Sequence, residues 1–326
     1  MNGAIIGCGA ISPLHIQGIL AAGGKVVALC DVDSLKSKAL KDRYGLDCPV
    51  YTDYKQMIEL QQIDVIHVCT PHYLHTEMVE YALGRNVHVL CEKPPCISHN
   101  ELLRLEKAEK QSSALLGFCL QNRYNSTVKE IKKRLEGHKI LSAFGNVVWC
   151  RFGDYYTASD WRGQLSKEGG SVLINQSVHT LDLLLYLVGM PDTVTASTIN
   201  LLHRNEIDTE DTFYAVYQGK DFSFQIFGTT TSSVDFPATI TIITDKFRCT
   251  LDDKNLIIDG NVVLNSASQY SGKEVWGSGH ENLIKDFYNC IHSGKKFRLD
   301  LKESSKLLKC IFATYESNGK KINIGE

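Results

Sequence analysis

The stretch Gly7-Cys8-Gly9-Ala10-Ile11-Ser12 decides the fold, because it lies between an apolar run, Gly3–Ile6, and a helical pattern that begins at Pro13. In such a turn the first glycine permits the tight bend, and the second lets backbone N–H groups approach a pyrophosphate at the helix N-terminus. Ser12 replaces a third glycine and is predicted to cap the helix, which Pro13 opens. The turn therefore predicts a dinucleotide site with four binding residues: Gly7, Gly9, Ala10 and Ile11.

An acidic residue after the second apolar run supports this prediction. Asp31 follows Lys25–Cys30 and comes about 20 residues after Gly9, where a carboxylate can accept a hydrogen bond from the ribose 2′-hydroxyl. This favours NAD as the cofactor, while Lys36 and Lys38 downstream keep NADP open. The plain alternative is a turn that binds nothing, and the register of strand, turn, helix and acid argues against it.

The first 120 residues alternate β-branched runs with helical patterns, which predicts an α/β domain with a doubly wound parallel sheet of the Rossmann type. The predicted strands are Gly3–Ile6, Lys25–Cys30, Val50–Tyr51, Val65–Cys69, Val87–Cys91 and Ala114–Cys119. The predicted helices are Pro13–Ala22, Leu35–Tyr44, Tyr54–Leu60, Leu74–Leu83 and Glu101–Gln111. Ser98 and Glu101 form a capping box for the last of these helices.

Residues 121–326 have a different texture and predict a second, α+β domain for substrate binding and oligomerisation. Helices are predicted at Ser126–Leu135 and Ser171–Val188 and near the end of the chain, and a long strand at Leu141–Phe152 precedes several β-rich segments. This pattern predicts an open, largely antiparallel sheet with helices on one face. Because the other face needs a cover, we expect a homodimer or homotetramer through this sheet.

Composition excludes several classes of protein. The 326 residues are 43% hydrophobic and 22% charged, as in globular proteins, and the net charge of −2 lacks the cationic excess of nucleic-acid binders. The most apolar stretch, Leu183–Met190, is too short to cross a bilayer. The 11 cysteines form no close pair, and no cationic segment precedes Cys8, so we expect a cytoplasmic protein without a signal peptide.

Two polar turns follow predicted strands and are expected to line the ligand crevice, since the carboxyl ends of parallel strands do so. Thr70-Pro71-His72-Tyr73-Leu74-His75 follows one strand, and Glu92-Lys93-Pro94-Pro95 follows the next. A half-buried Lys93 can donate to a substrate oxygen or titrate near neutrality, although a lysine before a proline turn is by itself ordinary. His72 and His75 lack a further ligand at metal spacing, so we predict no metal. The predicted cofactor contacts here are Thr70, Pro71, His75, Glu92 and Lys93.

A polar stripe marks the apolar helix Ser171–Val188. Asn175, His179, Asp182 and Tyr186 fall within an arc of about 60° at helical spacing. Such a stripe on an apolar helix is expected to border a polar cavity, and the alternative is a stripe that faces solvent.

Together these motifs resemble the Gfo/Idh/MocA group of oxidoreductases, and the similarity extends over essentially the whole chain. The motifs are the glycine turn, Cys30-Asp31, Thr70-Pro71 with His75, Glu92-Lys93-Pro94, and Gly169-Gly170 followed by Asn175, His179 and Asp182. The resemblance implies hydride transfer between a nicotinamide and a secondary alcohol of a sugar or polyol.

The resemblance also implies a role for each site residue. Lys93 would hydrogen-bond the reacting hydroxyl, before a Pro94 that is often cis, and His179 would accept the hydroxyl proton. Asn175 stands where many members carry an aspartate, so it would orient substrate, and His179 would be less basic unless Asp182 compensates.

Further substrate contacts are implied at the mouth of the site: Gln121, Arg123, Trp161, Arg162 and Asp182. An arginine there could grip the carboxylate of an acidic sugar, or it could pair with a structural acid. Two other functions stay open beside the dehydrogenase: a glycosidase that uses bound NAD without net redox change, and a non-catalytic dinucleotide sensor.

Overall fold

The computed structural model describes residues 1–152, 154–266 and 279–325. The strands are β1 (Asn2–Ile6), β2 (Lys25–Cys30), β3 (Val50–Tyr51), β4 (Val65–Val68), β5 (His88–Cys91), β6 (Leu116–Phe118), β7 (Ile140–Val148), β8 (Thr193–Ile199), β9 (Thr212–Gln218), β10 (Ser223–Thr229), β11 (Thr239–Thr244), β12 (Arg248–Leu251), β13 (Asn255–Ile258), β14 (Asn261–Asn265) and β15 (Lys321–Asn323).

The α-helices are α1 (Ser12–Ala21), α2 (Ser34–Tyr44), α3 (Tyr54–Leu60), α4 (His75–Leu83), α5 (His99–Gln111), α6 (Ser126–Arg134), α7 (Asp154–Thr157), α8 (Leu165–Glu168), α9 (Val178–Val188), α10 (Gly279–Ser293) and α11 (Leu301–Ser317). Short 3₁₀ turns cover His72–Leu74 and Gln121–Tyr124, and a π-helical turn covers Val172–Gln176.

The first compact unit comprises Met1–Cys119 and His280–Ser305. Its six parallel strands have the order β3-β2-β1-β4-β5-β6, which confirms the predicted Rossmann sheet. Every residue of β4 is buried, as expected for a central parallel strand covered on both faces. Half of the predicted capping box is present, since Ser98 accepts from the Glu101 N–H at 3.3 Å. The Glu101 carboxylate accepts in return from the Ile97 N–H at 2.8 Å, one residue before the expected donor Ser98.

The predicted cap of α1 is wrong. Ser12 is the first helical residue, and the preceding Ile11 makes no side-chain cap. The Ser12 hydroxyl instead donates to the Gly9 carbonyl at 2.7 Å. It therefore closes the turn at the position where the motif has its third glycine.

The second unit comprises Leu120–Gly279 and Lys306–Glu326. It differs from the predicted domain 121–326, because His280–Ser305 belongs to the first unit. Its nine strands have the order β14-β13-β12-β11-β7-β10-β9-β8-β15. All neighbours pair antiparallel except β10 and β7, which are parallel, so the sheet is mixed but mostly antiparallel, as predicted.

The apolar helix predicted over Ser171–Val188 is broken. A π-helical turn ends at Gln176, where the Ser177 N–H donates to the Val172 carbonyl at 2.7 Å, and α9 begins at Val178. The segments Leu165–Gln176 and Val178–Val188 are bent by 56° relative to each other. In the part of the chain that the structure describes, no single helix is long and apolar enough to span a membrane; this bent pair reaches that length only when its two segments are joined.

One face of the second sheet is exposed. Residues of β9 and β10 alternate between buried and exposed, and apolar side chains lie on the exposed face, among them Tyr214, Val216 and Phe227. The prediction of an open sheet is confirmed.

Candidate active site

The glycine turn in the first unit fits a dinucleotide. Gly7 has φ of +92°, and a Cβ here would lie 2.6 Å from the Cys69 backbone, so the turn requires glycine. A Cβ at Gly9 would meet nothing within 4 Å, which leaves open space above that backbone for an approaching phosphate. Gly9 and Ala10 are exposed at the N-terminus of α1, and Ile11 is half-buried. These residues can hold the pyrophosphate of NAD.

Asp31 lies directly after β2 and is tied to the same turn. One carboxylate oxygen accepts from the Cys8 N–H at 2.8 Å, and the other accepts from the Asp33 N–H at 2.9 Å. Each oxygen has a second lone pair, so the carboxylate can still accept from a ribose hydroxyl.

His75 joins the two strand-end turns. The ring is fully buried, with Nδ1 at 2.8 Å from the Pro94 carbonyl and Nε2 at 2.9 Å from the Thr70 carbonyl. Both ring nitrogens therefore face backbone oxygens, and His75 positions these turns instead of presenting a nitrogen to the cofactor. Pro71 is half-buried beside Thr70, and the Lys93–Pro94 peptide bond is cis, as the resemblance implied.

A buried chain of polar side chains ends at Glu92. Tyr288 lies 3.0 Å from His67 Nε2, His67 Nδ1 lies 2.8 Å from His15 Nδ1, and His15 Nε2 lies 2.9 Å from Glu92. His280 Nε2 contacts the same Glu92 oxygen at 3.2 Å. No local pattern predicted this chain, although the histidine within the apolar run of β4, His67, was a signal.

One set of proton positions satisfies every bond of the chain. A carboxylate only accepts, so His15 carries its proton on Nε2 and accepts at Nδ1. His67 must then donate from Nδ1 and accept at Nε2 from the Tyr288 hydroxyl. Each imidazole thus needs only one proton, and each donor has an acceptor.

Glu92 holds a negative charge beside Lys93. Burial alone would raise the pKa of Glu92, but hydrogen bonds from His15 and His280 outweigh it and hold this pKa well below its usual range. Burial lowers the pKa of His280, and the nearby Lys93 charge lowers it further. Lys93 is half-buried, as predicted, and its backbone N–H lies 3.3 Å from Glu92 Oε2.

The same region contains a group of candidate metal ligands. Ligand atoms of His15, Glu92 and Cys119 lie within 4.8 Å of one another. Because His15 and Glu92 already bond each other, we assign this group to the hydrogen-bonded chain.

In the second unit, Asn175 and His179 are the two residues of the segment 171–185 that are not buried. His179 lines a pocket of about 630 Å³, including its solvent-filled mouth, together with Trp149, Gln176 and Asp252. Gln121 is buried and places its amide Nε2 3.1 Å from His179 Nε2. Tyr186 is also half-buried, so three of the four residues of the predicted polar stripe are not fully buried, and one of them, His179, lies on the wall of a pocket.

Arg123 and Asp182 are placed together. Both side chains are buried, and they form an ion pair with two hydrogen bonds. Arg123 also lies over the Tyr186 ring, with 4.7 Å between its Cζ and the ring centroid. The structure therefore favours the structural alternative for Arg123, and the Arg123 charge leaves Asp182 a poor substitute for an aspartate at position 175.

Arg162 lies among aromatic rings. Its Cζ is 4.5 Å from the centroid of Tyr155 and 5.4 Å from that of Trp161, and its Nη1 contacts the Tyr155 carbonyl at 3.4 Å. The Nε of Arg162 is buried without a hydrogen-bond partner among the described residues. Arg162, unlike Arg123, keeps a donor for an anionic ligand group.

Two buried glutamates next to this helix were missed by the sequence analysis. Glu168, at the end of α8, bonds Asn175, and Glu210 accepts from the Ser171 and Leu173 N–H groups and from Tyr315. Neither carries a sequence signal, because both bind backbone N–H groups, and the Tyr315 partner of Glu210 is 105 positions away.

Comparison with known proteins identifies the class. The chain matches an oxidoreductase family model with an NAD-binding Rossmann fold over residues 1–118 and a GFO/IDH/MocA C-terminal domain model over residues 143–248. The first unit is thus an NAD-binding domain of an oxidoreductase, which confirms the predicted cofactor. The chain belongs to the Gfo/Idh/MocA family, as its motifs predicted.

Individual relatives are distant. D-glucoside 3-dehydrogenase of Escherichia coli K12 is 26% identical over 192 residues, which are 58% of this chain and 54% of that protein. The 2,7-anhydro-N-acetylneuraminate hydratase of Mediterraneibacter gnavus is 26% identical over 212 residues, which are 63% of this chain and 54% of that protein. The chain therefore spans about half the length of these curated relatives.

A solved structure matches throughout. The WlbA dehydrogenase from Bordetella pertussis, in complex with NADH and UDP-GlcNAcA, is 25% identical with a TM-score of 0.86, and the match covers 100% of this chain and 99% of that one.

Proposed function

We propose that this protein transfers a hydride between NAD and a secondary alcohol or ketone of a sugar, polyol or sugar derivative. The observation that carries the proposal is the position of His179, whose partly exposed imidazole lies on the wall of a pocket. In the NAD-binding unit, Glu92 and Lys93 directly follow β5. The names of the dehydrogenase relatives support it.

The residues divide the chemistry as follows. Bound NAD supplies the hydride acceptor or donor. Lys93 donates a hydrogen bond to the reacting oxygen, and His179 takes the hydroxyl proton or returns it in the reverse direction. Asn175 orients the substrate, and Gly7, Gly9, Ala10, Ile11 and Asp31 hold the dinucleotide. Glu92 keeps a negative charge next to Lys93, which favours the ammonium form that can donate.

The remaining residues of the substrate site are proposed to act in two ways. Gln121 would act through His179, which it touches, and Trp161 with Arg162 would meet the sugar. The buried Nε of Arg162 supports a substrate with an anionic group.

The test uses absorbance at the NADH band with a panel of sugars that includes methyl β-D-glucoside, myo-inositol and UDP-GlcNAcA. We expect Lys93→Met and His179→Gln to lose about 10²-fold or more in turnover while NADH binding, followed by fluorescence, stays within a factor of two or so. Lys110→Met and His292→Gln, at exposed positions, are the matched controls. Full activity in either test variant would show that these catalytic roles are wrong.

A second candidate is a reaction without net redox change, in which bound NAD is reduced and reoxidised within each cycle. The hydratase relative favours it. Product release from 2,7-anhydro-N-acetylneuraminate or a glycoside, with no added NAD and no accumulation of NADH, would select it. A protein that binds NADH but leaves every member of the panel unchanged would favour the sensor.

We further propose that the protein is a homodimer or homotetramer through the exposed face of the second sheet, and that it acts in the cytoplasm. The apolar side chains Tyr214, Val216 and Phe227 on that face support the first proposal. The 11 cysteines, all free, support the second.

A further inference from the structure

Glu168 is a buried carboxyl group with two well-defined partners. Its side chain is fully buried, and Oε2 accepts a short hydrogen bond from the Gly163 N–H. Oε1 lies 2.5 Å from the side-chain Nδ2 of Asn175. The first bond closes the loop before α8, and the second reaches a residue that we place in the substrate site.

The second bond determines what Asn175 can offer. An ionised carboxylate has no proton to give, so the Asn175 amide must turn its NH₂ group toward Glu168. The amide oxygen, which has two lone pairs, then points away from Glu168 and can accept from a substrate hydroxyl. A protonated Glu168 can donate to that oxygen, and the amide can then turn and offer NH₂ as a donor.

We propose that Glu168 is a positioning residue that acts through Asn175: when ionised it commits Asn175 to accept from a substrate hydroxyl, and when protonated it lets Asn175 donate to a substrate carbonyl. The inference rests on the proposed function, because an alcohol substrate can donate a hydrogen bond to Asn175, whereas the corresponding ketone can only accept one. Asn175 stands where many family members carry an aspartate, and Glu168 supplies a carboxyl group next to it.

The surroundings of Glu168 allow both states near neutral pH. Burial raises the pKa of Glu168 to about 7, against the hydrogen bonds from Gly163 and Asn175, and the Glu210 charge raises it further while Arg162 lowers it. The other titratable groups that face Glu168 are the three tyrosines Tyr155, Tyr156 and Tyr315. Burial raises the pKa of all three, so they stay neutral in this range. Burial also raises the pKa of Glu210, so Glu168 and Glu210 are the two carboxyl groups of this cluster that can titrate, and Glu168→Gln separates them.

The direct test follows the Asn175 side-chain amide by NMR in the NADH-bound protein, without sugar, between pH 5 and pH 9. The resonance is assigned by its loss in Asn175→Asp. We expect it to titrate with a midpoint of about 7 in the wild type and in Glu136→Gln, an exposed control in the same unit. In Glu168→Gln we expect no titration. A titration that persists in Glu168→Gln, or a flat wild-type profile, would overturn the proposal.

A second measurement covers the case in which Glu168→Gln does not fold. Carboxyl-labelled glutamate in the wild type should show a buried carboxyl whose midpoint equals that of the Asn175 amide, and the signal of Glu210, whose pKa burial also raises, is assigned by its loss in Glu210→Gln. Two different midpoints, or no carboxyl titrating in this range, would also contradict the proposal.

A kinetic arm separates this inference from the proposed function. With methyl β-D-glucoside or myo-inositol as the alcohol, KM should rise about tenfold from pH 8 to pH 6 in the wild type, as the ionised fraction of Glu168 falls. Glu168→Gln should flatten that profile with little change in NADH affinity. If hydride transfer occurs and the profile does not depend on Glu168, only the inference fails. If the amide titrates with Glu168 but no hydride is transferred, the proposed function fails and the Glu168–Asn175 coupling stands.

Discussion

Arg123 and Asp182 form a buried pair in which Nε and Nη2 of the guanidinium lie 2.9 and 2.6 Å from the two carboxylate oxygens. Planar pairing of this kind satisfies both charges at once. The acid of the polar stripe and a candidate substrate arginine thereby form a single structural unit, and the carboxyl group that contacts Asn175 is Glu168.

This pair yields a stability prediction. Arg123→Ala leaves Asp182 buried and unpaired, so we expect a loss of about 3–5 kcal/mol in unfolding free energy. The double variant Arg123→Met with Asp182→Leu removes both charges and should recover most of that loss. Urea denaturation of the wild type and both variants measures this. A double variant as unstable as the single one would show that the two side chains do not act as a pair.

Asp31 is expected to control the choice between NAD and NADP. Asp31→Ser removes a charged acceptor for the ribose hydroxyls, worth about 1.5–3 kcal/mol or roughly ten- to hundredfold in affinity. The loss of negative charge also favours a 2′-phosphate, so the ratio of NADH to NADPH affinity should fall. Fluorescence titration with both nucleotides measures the ratio, and Asp47→Asn, at an exposed position, is the control. An unchanged ratio would show that Asp31 does not reach the ribose.

Glu92 is expected to stabilise the first unit in a pH-dependent way. Its folded-state pKa is held below the usual range by His15 and His280, so the ionised carboxyl contributes stability above the unfolded-state pKa near 4.5. That contribution is lost as pH falls toward the folded-state pKa. Glu92→Gln should therefore cost about 1.5–3 kcal/mol at pH 7, and the difference from wild type should shrink below pH 4.5. Thermal unfolding of both proteins at pH 7 and pH 4 tests this; a gap that widens at low pH would contradict it.

The exposed sheet face should determine the oligomeric state. Val216→Lys places a charge among the apolar side chains of β9, and we expect it to shift the protein toward monomer, because an unpaired charge in an interface costs several kcal/mol. Light scattering coupled to size-exclusion chromatography measures the mass. Lys110→Glu, on an exposed helix of the first unit, should leave the mass unchanged. A wild-type protein that is already monomeric would refute the proposed interface.

Local patterns predicted most of the fold, because strand and helix periodicity and capping are properties of neighbouring residues. The six-stranded parallel sheet and the Ser98–Glu101 cap follow from such patterns. The π-helical turn at Val172–Gln176 escaped prediction, since one additional residue in a helical turn does not disturb an apolar run. Because of this break, Asn175 does not lie on α9, which carries His179. Asn175 and His179 are nevertheless the two residues of the segment 171–185 that are not buried.

The contacts within the site were predicted less completely, because most residues that contact each other there are far apart in sequence. Arg123 and Asp182 are separated by 59 positions, and Tyr288 reaches His67 across 221. Neither spacing has a local signature, so the sequence could mark the polar residues but could not pair them. Glu168 had no signature at all, since Gly163 contacts it through a backbone N–H, which any residue type supplies.

The ordered chain from Tyr288 to Glu92 has a spectroscopic consequence. His15 can carry its proton on Nε2 only while Glu92 is an acceptor, and His67 must follow the choice that His15 makes. The ring-nitrogen chemical shifts of His67 would therefore change when Glu92 gains a proton, although two hydrogen bonds and a second imidazole lie between them. A single labelled histidine in the middle of the sheet becomes an internal reporter of the charge beside Lys93.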